Sequence, residues 1–166
     1  MIRALAPLAA VLTLAACATA PEPVAPLPAP TQAEWEANQA EWLAFNARQP
    51  GWTTTESGLQ WRRVGRANPS GAQPRPEDTV KVHYRGVFTG GQEFDSSYSR
   101  NEPTEFPLNR VIKGWTEGVG LMREGETFEF LIPGSLAYGE RWVGGEIPPN
   151  SALRFTVELL EVKRAD

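Results

Sequence analysis

The 166-residue sequence is poor in the residues that most enzymes use for chemistry. It has one cysteine, Cys17, and one histidine, His83. One cysteine excludes an intrachain disulfide. A Cys–His pair is excluded as well, because Cys17 stands near the N-terminus and His83 sits in a strand-like stretch far from it. No His/Cys cluster exists to hold zinc. The segment GVGLMR, Gly118 to Arg123, has Arg123 where a dinucleotide-binding fingerprint needs its third glycine. Asn68-Pro69-Ser70 carries proline where an N-glycosylation site forbids it. Long basic runs are missing and the formal charge is −4, so no nucleic acid partner is expected. No apolar run reaches the ~20 residues that span a bilayer. Nucleophilic, metal and hydride chemistry all lack parts. What remains is an ordinary globular composition, 41% hydrophobic and 22% charged, with fifteen prolines unevenly spread.

The N-terminal stretch separates from the rest. Residues 1–16 carry one cation, Arg3, followed by ALAPLAAVLTLAA, and read as a secretory signal peptide. The segment ends in LAAC, Leu14 to Cys17, which resembles a bacterial lipobox. The resemblance implies that Cys17 is lipidated, becomes the first mature residue and anchors the chain to a membrane outside the cytoplasm. Ala18 follows it, and under the sorting rule of enteric-type bacteria this leans towards the outer membrane, facing the periplasm. The alternative is a signal peptide cut nearby, with Cys17 an idle thiol. Residues 17–30 form a proline-rich tether: five of the thirteen residues Ala18–Pro30 are proline. Such a segment favours polyproline II and reaches ~40 Å.

Residues 31–54 are expected to form a helical extension. Thr31 and Glu34 have capping-box spacing, and Pro50-Gly51 ends the pattern. Trp35, Trp42 and Phe45 fall on one face, which either packs on the following domain or makes a dimer contact. From Ser57 the texture becomes strand-like. Thr79–Phe88 alternates Val80, Val82 and Tyr84 against Lys81, His83 and Arg85. Thr89–Gln92 (TGGQ) is a hairpin turn. Thr127–Ile132 alternates Phe128, Phe130 and Ile132 against Thr127, Glu129 and Leu131. Leu153, Phe155, Val157 and Leu159 alternate inward in the last strand. Ser57–Val64 and Glu105–Leu108 are weaker strands. Asp95 and Tyr138 read as loop residues beside the apolar face. One polar face on each strand predicts an antiparallel sheet, wet on one side.

Between Asn68 and Asp166 only one helix is predicted, within Arg110–Met122. Val111, Trp115, Val119 and Met122 share a face, widened by Ile112, while Arg110, Lys113, Thr116 and Glu117 point elsewhere. Gly114, Gly118 and Gly120 each cost roughly 1 kcal/mol relative to alanine. Their use implies that the helix backbone lies close to the sheet.

The run VHYRGVFTGGQEFDSSYSRNEPTEFPLNRVIKGWTEGVGLMREGE, followed by AYGE, GGEIPPNS and ALRFTVELLEV, resembles the FKBP-type peptidyl-prolyl cis-trans isomerases. The lead-in TTTESGLQW is similar to bacterial members with a helical N-terminal extension. The resemblance places the domain at residues 55–166. It implies an α+β fold, a curled antiparallel sheet wrapped around one short α-helix. It also implies isomerisation of X-Pro bonds without a cofactor, proline-containing polypeptides as substrates and macrolides as inhibitors. The same pocket used as a low-turnover peptide clamp or chaperone is the alternative. By the same resemblance Trp115 is the floor of the pocket, and Tyr84, Phe94, Phe106, Val111, Ile112 and Phe155 are walls. Asp95 is the rim acid, Arg100 its partner, and Tyr138 the donor to a substrate carbonyl. Ile112 offers a backbone N–H, and Ile147 lies on the loop over the pocket. Two places depart from the pattern: Thr104 stands where many members have an aromatic wall, and the loop Glu140–Glu146 has Glu146 at a commonly apolar position and adds Trp142.

Overall fold

The computed structural model describes residues 29–165. The signal peptide, Cys17 and nearly all of the proline-rich tether lie outside the described residues. Two helices and seven strands follow in order: α1 (Gln32–Asn46), β1 (Thr53–Thr54), β2 (Gln60–Arg63), β3 (Thr79–Phe88), β4 (Glu93–Ser96), β5 (Thr104–Pro107), α2 (Lys113–Gly120), β6 (Thr127–Ile132) and β7 (Leu153–Lys163). All strand pairings are antiparallel, in the order β1-β2-β6-β7-β3-β4, with β5 also on β3. β3 and β7 pair along their whole lengths and carry the sheet. Their inward residues Val80, Val82, Tyr84, Leu153, Phe155, Val157 and Leu159 are all buried.

α2 packs in the concave side of this sheet. Its backbone must come close, because a Cβ on Gly118 would stand 2.7 Å from the Phe130 ring, and one on Gly114 would overlap Ile132. Gly120 is different: a Cβ there meets nothing, so close packing does not require it. The helix is also shorter than the sequence predicts. Leu108–Arg110 forms a separate 3-10 turn, Val111 is extended, and Ile112 caps the start of α2. Buried Trp115, Val119 and Met122 supply the apolar face. Eight residues with three glycines hold helical geometry through tertiary packing rather than propensity.

α1 lies on the outer side of the sheet, which is therefore not fully wet. Its N-terminus has the predicted box: Thr31 N–H donates to Glu34 Oε2 at 2.8 Å, and Glu34 N–H donates to Thr31 Oγ1. The docking face differs from the aromatic stripe. Trp35 packs edge-on against Phe88, with ring centroids 6.5 Å apart. Between the aromatics it is Gln39 that is buried, its Oε1 accepting the Ala152 N–H at 3.2 Å. Gln60 Nε2 donates to the Leu43 carbonyl, and Asn46 donates to Gln60 Oε1 at 2.8 Å. Trp42 and Phe45 are exposed and stack edge-to-face on each other. Leu131, on the polar side by alternation, is buried with Trp42 and Asn46 at its side of the sheet. No helix among the described residues is long and apolar enough to cross a membrane.

Candidate active site

The mouth of the curled sheet holds a cavity of about 310 Å³. Trp115, on α2, has 4% of its surface exposed and forms the base. Three rings surround it edge-on: Tyr84 at 5.3 Å, Phe155 at 5.4 Å and Phe106 at 5.5 Å between centroids. Edge-to-face contact of this kind fixes ring orientation as well as burying area. β3, β7 and β5 supply the three rings, so sheet pairing sets their spacing. Val111, Ile112, Asp95 and Tyr138 complete most of the lining.

Phe94 and Ile147 are not in the lining. Phe94 stands behind Phe155, edge-on at 5.6 Å, and leans on Phe88. Gly86 makes this possible, since a Cβ there would lie 2.7–2.8 Å from both the Phe94 and Phe155 rings. Ile147 is buried in the core beneath its loop, which is pinched by a bridge to Val143. Arg100 also stays out of the lining and acts on the rim from outside.

Asp95 is on strand β4 rather than in a loop, a difference that follows from its pairing with Gly86. Its carboxylate accepts from the Tyr84 hydroxyl at 2.5 Å and from Arg100 Nη1 at 2.6 Å, and Arg100 Nη2 donates to the Tyr84 hydroxyl at 2.9 Å. Burial pushes the Asp95 carboxyl up, but the hydrogen bonds from Tyr84 and Arg100 and the Arg100 charge outweigh it and hold it below the usual aspartate range. Asp95 is therefore an anion at neutral pH, with no proton to give. Burial and then the Asp95 hydrogen bond push the Tyr84 hydroxyl up. Tyr138, half-buried, is raised by burial and by the Asp95 charge. No protein group among the described residues takes up its hydroxyl as a hydrogen-bond partner, so that hydroxyl is free at the cavity wall. His83 is tied into the sheet instead: its Nδ1 is 2.9 Å from Ser97 Oγ and its ring stacks on Tyr98.

The family model for "FKBP-type peptidyl-prolyl cis-trans isomerase" matches residues 70–160, more than half of the chain. The chain belongs to the FKBP-type peptidyl-prolyl cis-trans isomerases. An FKBP-type isomerase, FkpA of Aeromonas hydrophila, is 52% identical over 126 residues, 75% of this chain and 45% of that protein. The outer membrane protein MIP of Legionella longbeachae is 42% identical over 133 residues, 78% of this chain and 56% of that protein. The crystal structure of FkpA from Escherichia coli superposes with a TM-score of 0.76 at 44% identity, covering 81% of this chain and 62% of that one. The chain thus spans about half the length of the curated relatives it matches. The curled sheet around α2 is the fold of this FKBP family.

One lining residue of this FKBP site escapes the sequence pattern. Arg110, counted as pointing away on a helix, lines the cavity. The helical count fails because Arg110 ends the 3-10 turn and Val111 breaks the path with φ −99° and ψ 178°. Pro107 does not signal this break, because proline is tolerated at a helix start and here precedes the 3-10 turn. Of the two departures, Thr104 pairs with Val82 at the edge of the sheet and Glu146 is exposed; neither lines the cavity.

Proposed function

We propose that this chain catalyses cis-trans isomerisation of X-Pro bonds in polypeptides exported from the cytoplasm. The observation that carries the reading is the apolar cavity on Trp115, walled by three edge-on rings and bounded by a free tyrosine hydroxyl. Rotation about the X-Pro bond breaks no covalent bond. It must overcome ~18–20 kcal/mol, mostly lost amide resonance. The planar amide is more dipolar than the twisted one, so water holds the ground state. A proline ring seated on Trp115 leaves that water behind, and each ~1.4 kcal/mol of preference for the twisted state gives tenfold in rate. Tyr138 donates its free hydroxyl to the substrate carbonyl. Asp95 and Arg100 neutralise each other and hold the Tyr84 ring upright, so they act by positioning rather than by proton transfer. Macrolides that mimic a proline ring occupy the same cavity.

The same reading extends to the N-terminus. Residues 1–16 are removed, Cys17 is lipidated, residues 17–30 tether the domain, residues 31–54 form the helical extension and residues 55–166 the isomerase. The anchor places the domain at the cell envelope, with the outer membrane favoured by Ala18 and by the similarity to the outer membrane protein MIP. Intact mass of the detergent-extracted protein tests this, since a lipid adduct must reside on Cys17 and vanish in Cys17→Ser.

Exchange NMR on a peptide with one X-Pro bond tests the activity. Cross-peaks between cis and trans signals are expected at mixing times near ~1 s, where the uncatalysed bond takes tens of seconds. A folded protein that binds the peptide yet gives no cross-peaks is a clamp, and the isomerase reading fails.

A further inference from the structure

The charges along the cavity are unevenly matched. Asp95 is met by Arg100 at 2.6 Å. Arg110, also in the lining, belongs to none of the ion pairs among the described residues and is exposed. Two further positive features stand next to it in the chain. α2 begins at Lys113, an exposed cation, and its N-cap Ile112 gives no side-chain cap to the first N–H groups. An uncapped helix start carries partial positive charge that acts over its first turn. All other lining side chains are aromatic or aliphatic, apart from two tyrosine hydroxyls. The acidic residues of the rim loop, Glu140 and Glu146, are exposed and outside the lining.

We propose that Arg110 determines specificity, and that the preferred substrates carry a carboxylate side chain on a residue next to the proline. The assignment rests on the isomerase reading of the cavity. A proline over Trp115 places its chain neighbours one residue away, at most ~3.3–3.6 Å per residue, which brings them to the cavity mouth. Arg110 lines that mouth; its guanidinium is a planar fork that fits a carboxylate in bidentate fashion, and the one acid of the lining, Asp95, is already paired with Arg100. Because Arg110 is exposed, the gain is that of a screened ion pair rather than a buried one.

Short peptides with Glu, Gln or Lys before the proline, and a second series with the same residues after it, test the proposal on the full chain and on Arg110→Gln. Both kcat/KM and Kd are read at low and high salt. At low salt one series is expected to favour Glu over Gln by about two- to fivefold, with Lys below Gln. The ratio falls towards one in about 1 M salt, where the screening length is only about 3 Å, and in Arg110→Gln. A Glu/Gln ratio at or below one in both series overturns the proposal, as does a ratio that survives Arg110→Gln. Circular dichroism of the variant excludes misfolding as the cause. If the Gln peptides bind without turnover, the isomerase reading fails, and the Kd ratios alone decide the role of Arg110.

Discussion

The Tyr84 hydroxyl donates a 2.5 Å hydrogen bond to Asp95, and Arg100 closes the triangle by contacting both. The consequence is a carboxylate with both oxygens engaged and a Tyr84 ring tethered at its hydroxyl while its edge meets Trp115. Asp95→Ala leaves the Arg100 charge and the Tyr84 hydroxyl without their anion. It is expected to lower kcat/KM about tenfold, the scale of one charge-assisted hydrogen bond, discounted for partial exposure. Asp95→Asn keeps an acceptor for Tyr84 and should lose less. Steady-state kinetics of the two variants make the comparison.

The pH dependence follows from the same triangle. The folded pKa of Asp95 lies below the unfolded value of about 3.9. A depressed carboxylate adds stability that is present above the unfolded pKa and lost as pH falls through the folded one. Activity is therefore expected to be level from about pH 5 to 8 and to fall only below about pH 4. Asp78 behaves alike at the C-terminal end. The Arg75 N–H first of all, then the Ala165 N–H and Arg164, lower its pKa against the opposing effect of burial. Asp78→Asn should blunt the acid-induced drop in Tm. At high pH, activity should persist past about pH 10, because burial keeps Tyr138 protonated beyond the ordinary tyrosine range.

Two glycines of α2 give opposite signs. Gly118→Ala drives a Cβ to 2.7 Å from the Phe130 ring and should destabilise by about 1–3 kcal/mol, despite alanine's better helix propensity. Gly120→Ala meets no atom and should be neutral or stabilising by up to about 1 kcal/mol. Urea unfolding midpoints, with unchanged m-values, measure both.

The sequence pattern made most of the sheet legible, because β3, β6 and β7 alternate cleanly and Thr89–Gln92 is a compact turn. It also pointed to the close approach of α2, through Gly114 and Gly118. Three features were hidden. β4 is short and keeps its register only through pairing with β3 across a bulge, so Asp95 looked like a loop residue. Leu131 alternates with the solvent face, yet a helix from outside the sheet covers that side. Arg110 looked helical, and only the break at Val111 turns it to the cavity. Each miss concerns tertiary context, which overrides local periodicity. The site aromatics were legible by family resemblance rather than by spacing alone. The structure brings Tyr84, Phe106, Trp115 and Phe155 together while leaving Phe94 and Ile147 behind the wall.

The docking of α1 is polar at its centre and can be tested there. Gln39→Ala removes the acceptor of the Ala152 N–H, which is buried at the start of β7. Leaving that group unsatisfied should cost about 1–3 kcal/mol. Phe45→Ser, at an exposed position, loses only the edge-to-face contact with Trp42 and should cost less than Gln39→Ala, about 0.5–1 kcal/mol. Thermal unfolding of the two variants separates the contributions.

On the proposed function, an aromatic cavity and one free hydroxyl accelerate X-Pro rotation without a nucleophile. The most direct measurement is kcat/KM on a short X-Pro peptide for the full chain, Trp115→Phe and Tyr138→Phe. The expected result is a rate well above the uncatalysed one, lowered about three- to tenfold by Tyr138→Phe, the scale of one neutral hydrogen bond, and lowered also by Trp115→Phe with the fold retained. A folded chain with no rate above background, or a rate that neither substitution changes, would contradict it.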